Sequence, residues 1–135
     1  MRKQLKPLPE IIELRRRMAR QYRERLAGIA GLKARAGPAW ARANWQSLCV
    51  RLNEHLDQRQ VMQEILDGGL GARRGIMCTR REQAYSDLPQ RWPLMKSGKA
   101  QDRCVLLALY HQMTEQEQDY VLAQLEGVLA ATPAG

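Results

Sequence analysis

The chain has 135 residues, 44% of them hydrophobic and 27% charged, which is one ordinary domain with enough apolar residues for a core and excludes wholesale disorder. Aromatics make up 5% and phenylalanine is absent, so that core must be aliphatic, with Met and Trp filling gaps. The formal charge is +8, yet residues 1–36 hold 11 Lys/Arg against Glu10, Glu13 and Glu24 while the rest of the chain is neutral, so the basic character belongs to one segment.

The opening MRKQLKPLPE carries no apolar run of the signal-peptide kind, and no stretch approaches membrane-spanning length. A soluble, cytoplasmic protein with no membrane partner is the expectation. Pro7 and Pro9 stand where a helix begins, since proline is tolerated in a first turn. Leu8, Ile11, Ile12, Met18, Tyr22, Leu26 and Ile29 then recur mostly at three- and four-residue steps. That spacing predicts a long amphipathic helix fading at Gly28 and Gly31, with Arg15, Arg16, Arg17, Arg20, Arg23 and Arg25 on its other faces. Gly37-Pro38 breaks the chain.

WQSLCVRL, residues 45–52, is rich in β-formers and partly alternating, and predicts a strand. Asp57 reads as an N-cap with Gln60 completing a box-like pair, and Val61, Met62, Ile65 and Leu66 form the buried stripe of the helix that follows. Gly68-Gly69 stops it. Residues 72–77 predict a second strand running into a polar loop through Tyr85. Residues 86–98, with Pro89, Pro93 and Gly98, read as an irregular connection, and a short helix is expected at 99–103. CVLLALY, residues 104–110, predicts a buried strand. Thr114 and Glu117 form a capping box for a last helix marked by Val121, Leu122, Leu125, Val128 and Leu129. The tail TPAG is expected to be frayed. This order predicts an α/β fold of the α+β type, a small two-layer sandwich of about three strands and three main helices.

Cys49, Cys78 and Cys104 are widely spaced, and with only His55 and His111 beside them no zinc spacing is met. All three lie in or next to apolar runs, so structural thiols are expected, with neither metal nor disulfide. The histidines have no nearby Ser/Asp or Cys constellation, and no catalytic role is assigned to them.

The ordered series QLKPLPEIIELRRRMARQYRERLAGIAGL, WQSLCVRL, LDQRQVMQEILDGGLGARRGIM and LLALYHQMTEQEQDYVLAQL resembles the C-terminal part of the DegT/DnrJ/StrS family of sugar aminotransferases, which use pyridoxal phosphate (PLP). The resemblance implies the fold of the C-terminal domain of fold-type I PLP aminotransferases. It makes residues 1–36 a long basic helix linking to a large domain, 37–131 the small domain and 132–135 a tail. In the family a large-domain lysine holds PLP covalently, and a large-domain aspartate pairs with its ring nitrogen. Lys3, Lys6, Lys33, Lys96 and Lys99 match no such lysine, so the chain alone is expected to bind no PLP and not to catalyse transamination. The partners implied are a large PLP-binding domain, missing or on another chain, a second copy in a homodimer, and a nucleotide-sugar substrate.

One stretch remains, GARRGIMCTRREQAY, residues 71–85. In the family the loop after this strand approaches the active-site mouth, where nucleotide sugar and amino donor bring anionic groups. Guanidinium forks pair well with phosphate and carboxylate, which makes Arg73, Arg74, Arg80, Arg81 and Tyr85 the candidate substrate-binding residues. Solvated arginines on an alternating strand are the competing reading. The stretch departs from the family at Arg80, often histidine there, and at Gln83, often proline; Ala108 stands where the closing strand commonly has proline. The alternative function is a basic module binding nucleic acid or another polyanion through the arginine-rich helix. No recognised nucleic-acid motif accompanies that helix and aromatic stacking residues are scarce, so nucleic acid is the less favoured partner.

Overall fold

A computed structural model describes residues 6–35, 37–89 and 91–131. The tail at 132–135 lies outside the described residues.

Helix α1, Leu8–Leu26, starts behind Pro7, with Glu10 in its first turn and Arg23 and Arg25 in its last. Those charges complement the helix dipole at both ends. Its buried face is Met18, Ala19, Tyr22 and Leu26. The front of the predicted stripe behaves differently: Leu8 is exposed, and Ile11 and Ile12 are half-buried.

Strand β1, Leu32–Ala34, enters through Gly31 at φ 89°, a left-handed turn that glycine adopts without a Cβ clash. β2, Leu48–Leu52, shows the alternation expected of it, with Leu48, Val50 and Leu52 buried and Arg51 exposed. α2, Gln58–Asp67, is capped by Asp57, whose Oδ1 accepts from the Gln60 amide at 2.8 Å. The expected reciprocal half of that box is absent, because the Gln60 side chain donates to Glu64 Oε1 instead. Val61 and Ile65 are buried in α2, Met62 is half-buried, and Leu66 is exposed, which corrects the predicted stripe. After Gly69 comes β3, Arg73–Arg74, and after two 3₁₀ turns comes α3, Met95–Arg103. β4, Cys104–Leu107, leads through a turn to α4, Glu115–Ala131.

The strands form one antiparallel sheet in the order β1-β2-β4-β3. The register aligns Leu32 with Leu52, Val50 with Val105, and Leu48 with Leu107. These side chains share one face, since alternate residues of a strand point the same way. Against that face pack α1, α2 and α4, and Tyr22, Leu26, Val61, Ile65, Val121, Leu122 and Leu125 close a single aliphatic core. The opposite face carries Lys33, Cys49, Arg51, Cys104 and Leu106, and α3 lies over part of it. The α+β class and the helices-on-sheet layering are as expected. The element count is corrected to four strands and four helices among the described residues. β1 escaped notice because three residues with one buried apolar position leave no periodicity to read. The other revisions are of length: β3 covers two residues rather than six, β4 stops at Leu107, and α3 starts four residues early.

Candidate functional site

The loop after β3 is positioned from beneath by buried amides. The Gly75 amide donates to the Cys104 carbonyl at 2.7 Å, extending the β3–β4 pairing by one residue. Cys78 is buried, and its amide donates to Gln101 Oε1 at 3.0 Å. Gln101, itself buried in α3, receives on its backbone carbonyl the Nε2 of Gln58 at 2.9 Å. The same Nε2 reaches the Cys104 carbonyl at 2.7 Å. A buried polar group left without a partner costs more than a hydrogen bond gains, so this relay from α2 through α3 fixes where the loop leaves the sheet. The chain then makes two short 3₁₀ turns, Thr79–Arg81 and Gln83–Tyr85.

The five candidate residues do not converge on one point. Arg73 and Arg74 pair with Leu106 and Val105 and therefore project from opposite faces of the sheet edge, both exposed. Arg81 turns back onto α3 and grips Asp102 with both terminal nitrogens, Nη1 on Oδ1 and Nη2 on Oδ2, the second at 3.1 Å. That hydrogen-bonded contact raises the guanidinium above its ordinary value and holds the Asp102 carboxyl below the usual carboxylate range. Gly98 gives the fork room, since a Cβ there would stand 3.1 Å from Arg81 Nη2. Arg80 and Tyr85 are brought together. With Thr79, Leu88, Trp92 and Leu94 they line an open pocket of about 330 Å³, and the Arg91 guanidinium lies 5.8 Å from the Trp92 ring centre at its rim. This arrangement can hold an anion against Arg80 while an apolar or ring-shaped body rests on Leu88 and Trp92.

Sequence reasoning missed Gln101, Asp102, Leu88 and Trp92. Arg81 and Asp102 are 21 positions apart, and nothing local marks either as the other's partner. A tryptophan inside a proline-bearing polar connection was a readable signal for Trp92, because aromatic side chains are costly to leave in water without a purpose.

The arginines of α1 are largely engaged within the chain. Arg15 Nη1 donates to the Gln46 carbonyl at 2.8 Å, and Arg16 Nε to the Ala43 carbonyl at 2.9 Å. Arg23 lies over the Trp45 ring, and Arg25 pairs with Asp119 of α4. Four of the six thus fasten the 37–47 segment and α4 to the helix, which fixes their side chains against the chain itself and leaves Arg17 and Arg20 exposed. Among the described residues no three His, Cys, Asp or Glu side chains come together as metal ligands. No helix among them is long and apolar enough to cross a membrane.

Among the described residues, neither a lysine nor a carboxylate lines the pocket of Arg80 and Tyr85. Lys33, Lys96 and Lys99 line another pocket, under α3, and that one also has no carboxylate. Neither donor set fits PLP, which needs an amine for its aldehyde and an acid for its ring nitrogen.

The sequence profile of the DegT/DnrJ/EryC1/StrS aminotransferase family matches residues 1–126. No curated protein matches the chain. Among solved structures, the aminotransferase TlmJ from Streptoalloteichus hindustanus is similar with a TM-score of 0.84 at 22% identity, over 95% of this chain and 34% of its own. DesV of S. venezuelae is similar with a TM-score of 0.86 at 15% identity, over 98% and 35%. PseC of Helicobacter pylori, an aminotransferase involved in the biosynthesis of pseudoaminic acid, gives 0.86 at 11% identity, over 96% and 35%. At such identities the likeness establishes the fold alone, and this chain spans about a third of the length of those relatives. With the profile running from residue 1 to residue 126 across a fold shared with these aminotransferases, the chain belongs to the DegT/DnrJ/EryC1/StrS aminotransferase family.

Proposed function

We propose that this chain is the small-domain part of a PLP-dependent nucleotide-sugar aminotransferase and works only together with a cofactor-bearing large domain. The observation that carries the reading is coverage: 95% of this chain matches 34% of TlmJ, and 98% matches 35% of DesV. The exposed Leu8 at the front of α1 and the exposed apolar side chains along the 85–94 loop support it, because a partner domain is what such surfaces ordinarily meet. In the assembled enzyme, a homodimer in the cytoplasm, an amine passes from glutamate to a keto-sugar nucleotide. Residues 1–36 serve as the link to the large domain and 37–131 as the small domain proper, with β1 anchoring the end of the link in the sheet.

Within that assembly the loop after β3 faces the substrate. Arg80 takes an anionic group, and Tyr85 supplies a hydroxyl beside it. Trp92 and Leu88 exclude water from one side. Arg81 positions the loop through Asp102, while Arg73 and Arg74 extend the positive field at the sheet edge.

The test is reconstitution. Mixed alone with PLP, glutamate and a keto-sugar nucleotide, the purified chain should yield no amino sugar. Supplied with a lysine-bearing large domain of the family, it should yield one, and Arg80→Gln should then raise KM by about tenfold, the usual loss for one charge-assisted contact. Amino transfer by the unaided chain would overturn the reading, as would a large domain whose activity is indifferent to this chain.

A further inference from the structure

Cys49 and Cys104 stand far apart in the chain, and the pairing of β2 with β4 brings them together. The register sets Cys49 opposite Leu106 and Cys104 opposite Arg51, so the two thiols are diagonal neighbours on the sheet face away from the core. A Cβ built at Gly75 would stand 3.0 Å from Cys49 Sγ and 2.7 Å from Cys104 Cβ, so both side chains crowd one point that glycine leaves open. Both cysteines are free, and the Cys104 thiol is close enough to act on that of Cys49. Access is from one side, because the two line a pocket of about 530 Å³ between β1, β2 and α3, with Cys49 half-buried and Cys104 buried. Cys78 does not line it, and among the described residues no third His, Cys, Asp or Glu joins the pair as a ligand.

Geometry decides what chemistry these thiols suit. A disulfide usually needs Cα atoms within about 6.8 Å, whereas diagonal neighbours across an antiparallel pair stand roughly 7–8 Å apart. A direct S–S bond would therefore require the strands to shift. Zinc takes four ligands in structural sites and three besides water in catalytic ones, and the pair offers two. One soft ion set between the sulfurs spans the diagonal offset with both strands in place, and monovalent copper, which thiolates select, needs no third ligand. Burial first, and the Cys104 thiol second, push Cys49 up to about 11, so near neutral pH it is protonated and a weak nucleophile. A coordinating metal displaces such a proton outright.

We propose that Cys49 and Cys104 form a two-coordinate bis-thiolate site for a soft monovalent metal ion, Cu(I). Binding breaks two S–H bonds and forms two S–Cu bonds; both protons pass to solvent and no electron moves. The loaded site carries a single negative charge, offset by Arg35, the cation that already favours the Cys49 thiolate. The bridge ties β2 to β4 beside Gly75, where the loop after β3 leaves the sheet. The site stands apart from the aminotransfer reading, and its test needs neither activity nor a second domain.

The experiment is an anaerobic titration of the full chain with Cu(I) presented by bicinchoninate, a coloured competing chelator. The chain should withdraw one equivalent, and its native mass spectrum should gain one copper and lose two hydrogens. X-ray absorption on the loaded chain should show two sulfur neighbours and no nitrogen or oxygen, a readout that needs no variant. Cys49→Ser and Cys104→Ser should each weaken binding by more than the roughly 10–100-fold that loss of an outer-shell partner costs. Cys49→Ala, at the half-buried position, keeps that readout if Cys104→Ser folds poorly, and Cys78→Ala should leave binding unchanged. Copper retained in both serine variants, equal occupation by Zn(II), or nitrogen or oxygen bound to the copper would overturn the proposal. So would ready oxidation of the metal-free pair by glutathione disulfide near neutral pH, since the diagonal offset would then be no barrier to a direct bond.

Discussion

A Cβ built at Gly75 would fall 2.7 Å from Cys104 Cβ and 3.0 Å from Cys49 Sγ, with the Cys104 carbonyl carbon at 3.2 Å. These neighbours belong to the central strands, so they cannot swing aside as the end of a flexible side chain can. Gly75→Ala should therefore destabilise the chain by about 1–3 kcal/mol, the usual range for overpacking, read as a lower midpoint in urea with an unchanged slope. An unchanged midpoint would mean that the β3 edge shifts without cost and that the loop is not fixed there. The sequence did not single out Gly75, because the reason for it is a backbone approach between residues far apart in the chain. Arg80 and Arg81 teach the same lesson. Adjacent and chemically identical, they diverge because only Arg81 has Asp102 within reach.

The two capping sites looked alike in the sequence and differ in the structure. At Thr114 the box closes both ways: the Glu117 amide donates to Thr114 Oγ1 at 3.2 Å, and the Thr114 amide donates to Glu117 Oε2 at 2.7 Å. That backbone contact, followed by the Tyr110 and Thr114 hydroxyls, draws the Glu117 carboxyl below its ordinary value. A carboxyl with a lowered folded-state value releases its proton more readily folded than unfolded. Its contribution is thus complete above the ordinary glutamate range and is lost as pH falls through the folded value. Urea midpoints should accordingly drop on acidification from neutral pH, and Glu117→Gln should flatten that part of the profile. Thr114→Ala should cost about 1 kcal/mol at neutral pH. A Glu117→Gln profile superimposable on the native one would show that the box contributes nothing to the acid limb. The same contrast explains what was legible among elements. Strand β2 and helices α2 and α4 carry their period and their caps in contiguous residues. β1 and β3 are three and two residues long and exist because β2 and β4 offer them a ladder. Pairing of that kind is decided by the tertiary fold, and local pattern carries little of it.

Across the whole molecule, aliphatic residues are used up on one face of the sheet, and charge and aromatic surface are left on the other parts. Composition showed that the core would be aliphatic, and Leu, Ile and Val do fill it, with Tyr22 the one aromatic ring fully enclosed among the described residues. It could not show where the remaining aromatics would stand: Trp92 is 68% exposed and Tyr85 48%, beside Leu88 at 57%. Burying large apolar side chains is worth roughly 1.5–3 kcal/mol each, so three of them left adjacent and wet form a surface that gains by being covered. The isolated chain should bind a hydrophobic dye in its native state. Leu88→Gln combined with Trp92→Gln should remove most of that signal while shifting stability by no more than about 0.5 kcal/mol, as exposed positions do. Dye binding that survives the double substitution would place the sticky surface elsewhere, with Trp40 and Met77, both more exposed than Trp92, next in line. A double variant that unfolds would show instead that the loop is part of the core, and the pocket of Arg80 and Tyr85 would lose its standing as a surface awaiting a partner.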